Sequence, residues 1–121
     1  MNSKKFLMWV GWVLLILGVV GFIFPNIGGE YLNFDHAENW AHILLGIVAL
    51  AIAYVIKDTS TVKWTAIVYG VVALLFGIWG FLVVSNPSPN FYNVTNLETL
   101  DDLLHLIIGI WGVWAVFFSE V

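Results

Sequence analysis

The chain has 121 residues, of which 61% are hydrophobic, 17% aromatic and only 10% charged, against about 25% charged residues in an ordinary soluble domain. Those proportions exclude a soluble globular protein, and the length allows one domain. There is no Cys and no Arg, and four Lys against eight Asp plus Glu give a formal charge of −4. Disulfides, iron–sulfur clusters, thiolate metal sites and Cys nucleophiles are thereby excluded. Without Arg there is no bidentate phosphate clamp and no basic footprint, so neither nucleic acid nor nucleotide is expected as a partner.

The apolar residues form four runs. Phe6 to Phe24 is uncharged over nineteen residues, about 28 Å of helix against a hydrocarbon core of about 30 Å. Ala41 to Ile56 is shorter, but a polar turn containing a His extends it at its start. Trp64 to Val84 spans twenty-one residues, and Leu103 to Phe118 repeats the pattern of the second run. The expected fold is therefore all-α: four transmembrane helices at about 6–24, 36–56, 64–84 and 98–118 in one membrane domain. The Met1-Asn2-Ser3-Lys4-Lys5 start precedes an apolar stretch too long for a signal peptide, and no small-residue cleavage site follows it.

Lys4, Lys5, Lys57 and Lys63 fall at the N-terminus or between helices 2 and 3, which by the positive-inside rule makes both termini cytoplasmic. The connections at about 25–37 and 86–100 then face outward, and with the helix starts beyond them they hold six of the eight acids. The expected location is a cell membrane, with lipid as the solvent of the outer surface. Trp9, Trp12, Trp40, Trp64 and Tyr92 lie near span ends as interfacial anchors, whereas Trp79, Trp111 and Trp114 lie deeper.

Sliding the chain along itself exposes two halves, 1–57 and 58–121. Lys4, Gly11, Gly18, Gly21 and Phe22 recur 59 residues later as Lys63, Gly70, Gly77, Gly80 and Phe81. Asn33, Asp35, Glu38, His42 and Gly46 recur 63 residues later as Asn96, Glu98, Asp101, His105 and Gly109. Each half is a helical hairpin with an even number of spans, so the repeat is parallel, about a pseudo-twofold along the membrane normal. Small residues share one stripe per helix, at Gly11, Gly18 and Gly21; at Gly46, Ala49 and Ala53; at Ala66, Gly70, Ala73, Gly77 and Gly80; and at Gly109 and Gly112. Such seams let backbones approach closely, whereas Leu44, Val48 and Ile52 on the opposite face of helix 2 are expected to meet lipid.

The chemically suggestive residues are Asp35, Glu38 and His42 with their counterparts Glu98, Asp101 and His105. Spacings of three and four place each set on one helix face, near the outer end of the bundle. His42, His105, Glu38 and Asp101 are suitable zinc, iron, manganese or copper ligands, with Asp35 and Glu98 behind them, and facing histidines could instead hold haem b. A simpler reading stands beside this. Asp35 with Glu38, and Thr95 with Glu98, resemble capping boxes, and the imidazoles would act as interhelical struts toward Asp, Asn or backbone. His36 has no counterpart and reads as a loop residue. A nucleophile assembled from Ser85 or Ser88 with His36 and Asp35 has no elbow motif behind it, and the sequon Asn93-Val94-Thr95 decides nothing.

Along Asn33-Phe-Asp-His-Ala-Glu-Asn-Trp-Ala-His42-Ile-Leu-Leu-Gly46 and Asp101-Asp-Leu-Leu-His105-Leu-Ile-Ile-Gly109, the chain resembles the prokaryotic four-helix membrane proteins of domain-of-unknown-function family 4383. It departs from their pattern in the Asp-Asp pair before His105. The resemblance implies a prokaryotic cell membrane and no particular activity. The expected function is a non-enzymatic structural or accessory module, without a cofactor, that self-associates or joins a larger membrane complex. The rival is a metal- or haem-binding protein, and the third reading is a small oligomeric channel, which lacks a polar stripe running the length of any helix.

Overall fold

The computed structural model describes residues 2–26, 35–83 and 99–117. Their regular structure consists of four helices: α1 (Asn2–Ile23), α2 (His36–Val55), α3 (Thr59–Val83) and α4 (Thr99–Phe117). All four are long and apolar enough to cross a membrane, and the protein is a multi-pass membrane four-helix bundle.

Two helices begin earlier than the hydropathy predicts, α1 at Asn2 and α3 at Thr59. Lysine ends an apolar run but is a good helix former, so Lys4, Lys5 and Lys63 continue their helices into the polar zone. Asp58 fixes the start of α3, because its Oδ2 accepts from the Thr61 N–H at 3.1 Å and from the Thr61 hydroxyl at 2.6 Å. At the head of α2, Asp35 is the N-cap, extended at φ −81° and ψ 166°, and its carboxylate accepts from the Glu38 N–H at 2.8 Å. His36 is the first helical residue there, not a loop residue. Its exposed ring stands 5.6 Å from that of Phe22.

The bundle is two hairpins. α1 lies along α2 and α3 along α4, and the hairpins meet where α1 touches α3 and α4 and where α2 touches α3. α2 and α4 stand diagonally, with no close backbone approach among the described residues. A Cβ added at Gly46 would lie 2.7 Å from the Leu15 backbone nitrogen and 2.8 Å from the Gly11 carbonyl oxygen. One at Gly109 would lie 2.7 Å from the Leu74 nitrogen. The seam residues Gly11, Gly18, Gly46, Gly70, Gly77, Gly80, Gly109 and Gly112 all face other parts of this same chain, and Gly21 is buried as well.

At the lysine-bearing end the core is apolar: Phe6, Leu7, Val10, Ala49, Ala53, Val62, Ala66, Ala115 and Val116 are buried together. Phe6 meets Trp111 edge to face, with ring centroids 5.1 Å apart. Lipid tails are as apolar as these side chains, so burial gains no transfer free energy, and close contact between small residues holds the helices instead. The Tyr69 hydroxyl adds a polar tie, donating to the Leu45 carbonyl at 2.6 Å between α3 and α2. Leu44 and Val48 face outward as expected, but Ile52 packs against the core cluster. Buried Ala53, one position on, and Ala49, three positions back, turn that side of α2 inward. Trp9, Trp12, Trp40 and Trp64 are exposed, and so are Trp79 and Trp114; Trp111 is the deep tryptophan that packs inside.

Candidate functional site

The opposite end of the bundle buries carboxyls and an amide where the lysine end buries mostly apolar side chains, with Ser3 the polar exception among the described residues. The sequence places an acid three residues into α2 and two acids in the first turn of α4, where the positive end of the helix dipole favours them. Folding then turns them inward: Glu38, Asn39, Asp101 and Asp102 are all buried.

Glu38 makes two contacts. Its carboxyl reaches back toward the Asp35 N–H, which completes the capping box, and it also comes within hydrogen-bonding range of the Asp101 carboxyl on α4. The diagonal helices thus meet through side chains although their backbones stay apart. Two carboxyl oxygens are both acceptors, so such a contact needs a proton or a cation between them. One turn further along α4, His105 Nδ1 lies 3.5 Å from Asp101 Oδ1, and Phe76 lies beside the imidazole with ring centroids 5.8 Å apart. His42 lies one turn below Glu38, within electrostatic reach of Asp101, His105 and Asp35.

Several buried atoms here have no hydrogen-bond partner: Glu38 Oε2, both amide atoms of Asn39, His42 Nδ1, Asp101 Oδ2 and His105 Nδ1. Each such atom typically costs about 1 to 3 kcal/mol when buried. The strut reading asks for imidazole hydrogen bonds to Asp, Asn or backbone; Nδ1 of neither histidine makes one, which leaves Nε2 as the atom for that role.

Of the sequence-derived site residues, Glu38, Asp101 and His105 are thus neighbours, with His42 close by, and Asp35 is a helix cap. Glu98, Thr95, Ser85 and Ser88 lie outside the described residues. No three His, Asp or Glu side chains among the described residues are gathered tightly enough to hold a metal ion as they stand. Two inward residues escaped the sequence reading. Asn39 abuts α1, its backbone carbonyl oxygen 2.8 Å from where a Gly18 Cβ would sit, and Asp102 fills the notch left by Gly80, where a Cβ would collide with its carboxylate. The 63-residue offset pairs Asn39 with Asp102, a signal that was present in the sequence.

The chain matches no protein-family model, no curated protein and no solved structure.

Proposed function

We propose that the protein is a small, non-enzymatic accessory module of the cell membrane, built from two duplicated hairpins coupled at the outer end by the Glu38–Asp101 contact. That contact is the observation that carries the reading, because it joins the two helices whose backbones do not meet. The duplication is supported by matched packing, with Gly46 against Leu15 in one hairpin and Gly109 against Leu74 in the other. The positions of the four lysines support a cytoplasmic lysine end, and the two helix-start motifs support kinship with family 4383. Nothing about the apolar core of Phe6, Leu7, Val10, Val62 and Ala66 offers ions a route, which counts against the channel reading. Haem asks for a flat apolar slot, and a buried carboxyl pair beside the histidines is the wrong lining for it.

Association with a second copy or a larger complex is the working role in this reading. The glycine seams do not provide its surface, since this chain fills them itself. It falls to the outward faces, which make up about two thirds of each span. Native mass measurement in lipid nanodiscs, with photo-cross-linking from Leu75 or Leu82 on α3, tests this. Dimers or a reproducible neighbour are expected, and monomers alone at every lipid ratio would contradict the association.

A further inference from the structure

We propose that Glu38, Asp101, His105 and His42 form a seat for one divalent transition-metal ion of the zinc class at the acidic end of the bundle. The inference rests on the hairpin arrangement of the preceding reading, but not on the association it assigns.

Three observations lead there. The donor chemistry comes first: two imidazoles and two carboxylates, without thiolates, are a ligand set that zinc accepts in tetrahedral geometry. Zinc bonds of about 2.0 to 2.2 Å to nitrogen and oxygen set neighbouring ligand atoms of a tetrahedron about 3.4 Å apart. His105 Nδ1 and Asp101 Oδ1 are 3.5 Å apart, a separation that one ion can bridge without a hydrogen bond having to be broken. Spacing i, i+4 on α4 holds that pair on one helix face.

The second observation is the unpartnered atoms. Asp101 and Glu38 are 6% and 9% exposed, their carboxyls lie within hydrogen-bonding range of each other, and Glu38 Oε2 and Asp101 Oδ2 have no hydrogen-bond donor. Buried acceptors with free lone pairs need a donor or a cation, and the Nδ1 atoms of both histidines in the same cluster are themselves unpartnered. A divalent ion satisfies all of these groups at once. It also converts the repulsion of two adjacent carboxylates into attraction, which a neutral ligand cannot do.

Third, the donors come from both hairpins, and the site lies at the bundle's end, not its sealed middle. The His105 side chain retains 22% exposure, so the Asp101–His105 pair is not sealed inside the bundle. As they stand no three of these side chains are gathered tightly enough to hold an ion, so binding requires Glu38 and His42 to rotate toward the Asp101–His105 pair. The exposed His36, one residue beyond the Asp35 cap, takes no part.

The test uses the full chain in lipid nanodiscs, stripped with chelator and titrated with Zn²⁺ alone by calorimetry, with bound metal counted by elemental analysis. One Zn²⁺ per chain is expected, with affinity at least about tenfold weaker in Glu38→Gln, in Asp101→Asn and in the His42→Ala, His105→Ala double variant, in keeping with loss of a ligand, and unchanged in His36→Ala. X-ray absorption of the zinc-loaded wild type guards against variants that fail to fold, and should show about two imidazole ligands. No saturable binding, binding that survives the double variant unchanged, or a zinc shell without imidazole would each overturn the proposal. Native mass of the same samples reads the oligomeric state separately, so failure of the metal seat and failure of the association are distinguishable.

Discussion

Replacing Gly46 by alanine probes the closest backbone approach in the first hairpin. The new Cβ would stand 2.7 Å from the Leu15 nitrogen, 2.8 Å from the Gly11 carbonyl oxygen and 3.1 Å from the Leu15 Cα. These are backbone atoms, so no rotamer change relieves them. α1 and α2 must part locally by about 0.7 Å to restore ordinary contact near 3.4 Å, which loosens the neighbouring contacts of Gly11 with Leu50 and of Gly18 with Ile43. Overpacking of this kind costs about 1 to 3 kcal/mol, and contact with backbone atoms that cannot turn aside puts it at the upper end; the better helix propensity of alanine returns about 1 kcal/mol, leaving a net loss of about 2 kcal/mol. Gly70→Ala is the internal contrast. Its nearest neighbours, the Gly112 backbone and the Val113 nitrogen, are 3.3 Å away, so a shift of about 0.1 Å suffices and the propensity gain leaves stability level or slightly higher. The assay is reversible unfolding in mixed micelles by rising SDS fraction, followed by tryptophan fluorescence and circular dichroism. A Gly46→Ala protein as stable as the parent would refute the described approach of α1 to α2, and a Gly70→Ala protein that loses more would refute the looser fit of α3 against α4 at that position.

Three further outcomes follow from particular contacts. Asn39 is 1% exposed with neither amide atom hydrogen-bonded, so the near-isosteric Asn39→Leu should raise stability by about 1 kcal/mol; a lower unfolding midpoint would show that the amide has a partner. Tyr69→Phe removes the 2.6 Å bond to the Leu45 carbonyl and should cost about 0.6 kcal/mol, the usual size inside membranes, with no change in the unfolding midpoint as the contrary result. The carboxyl of Asp58, outside the spans, is held below the ordinary carboxylate range first by the Thr61 hydroxyl and then by the Thr61 N–H. Its capping contribution is therefore complete above the ordinary value and lost as pH falls through the lowered one. Carboxyl NMR titration should find Asp58 below an unhindered aspartate and shifted upward in Thr61→Val, and an ordinary midpoint in the parent protein would count against the cap.

Much of the fold was legible because lipid demands long apolar runs and small-residue seams leave a periodic trace. The seam of α3, from Ala66 through Gly80, is buried residue for residue as the spacing implied. Helix starts were less legible. Hydropathy marks where the membrane begins, not where hydrogen bonding does, so the lysine-bearing turns of α1 and α3 were left out. The seams themselves do not say whose backbone fills them, and here it is the chain's own. In the site, the face carrying Glu38 and Asp101 was legible from helical spacing, and the Asp35 cap from its pattern with Glu38. The inward turn of Asn39 and Asp102 was not, because a residue one position off the predicted face turns inward only when a neighbouring helix offers room for it. Gly80 offers that room to Asp102.

The meeting of the two hairpins at Glu38 and Asp101 is the point on which the account turns, and a double-mutant cycle measures it directly. Glu38→Gln and Asp101→Asn preserve shape, and their separate and combined effects on unfolding in lipid should differ from additivity by about 0.5 kcal/mol or more, as for side chains in contact. Effects that add within about 0.3 kcal/mol, the behaviour of independent sites, would mean that the two carboxyls do not meet and that the hairpins are joined elsewhere.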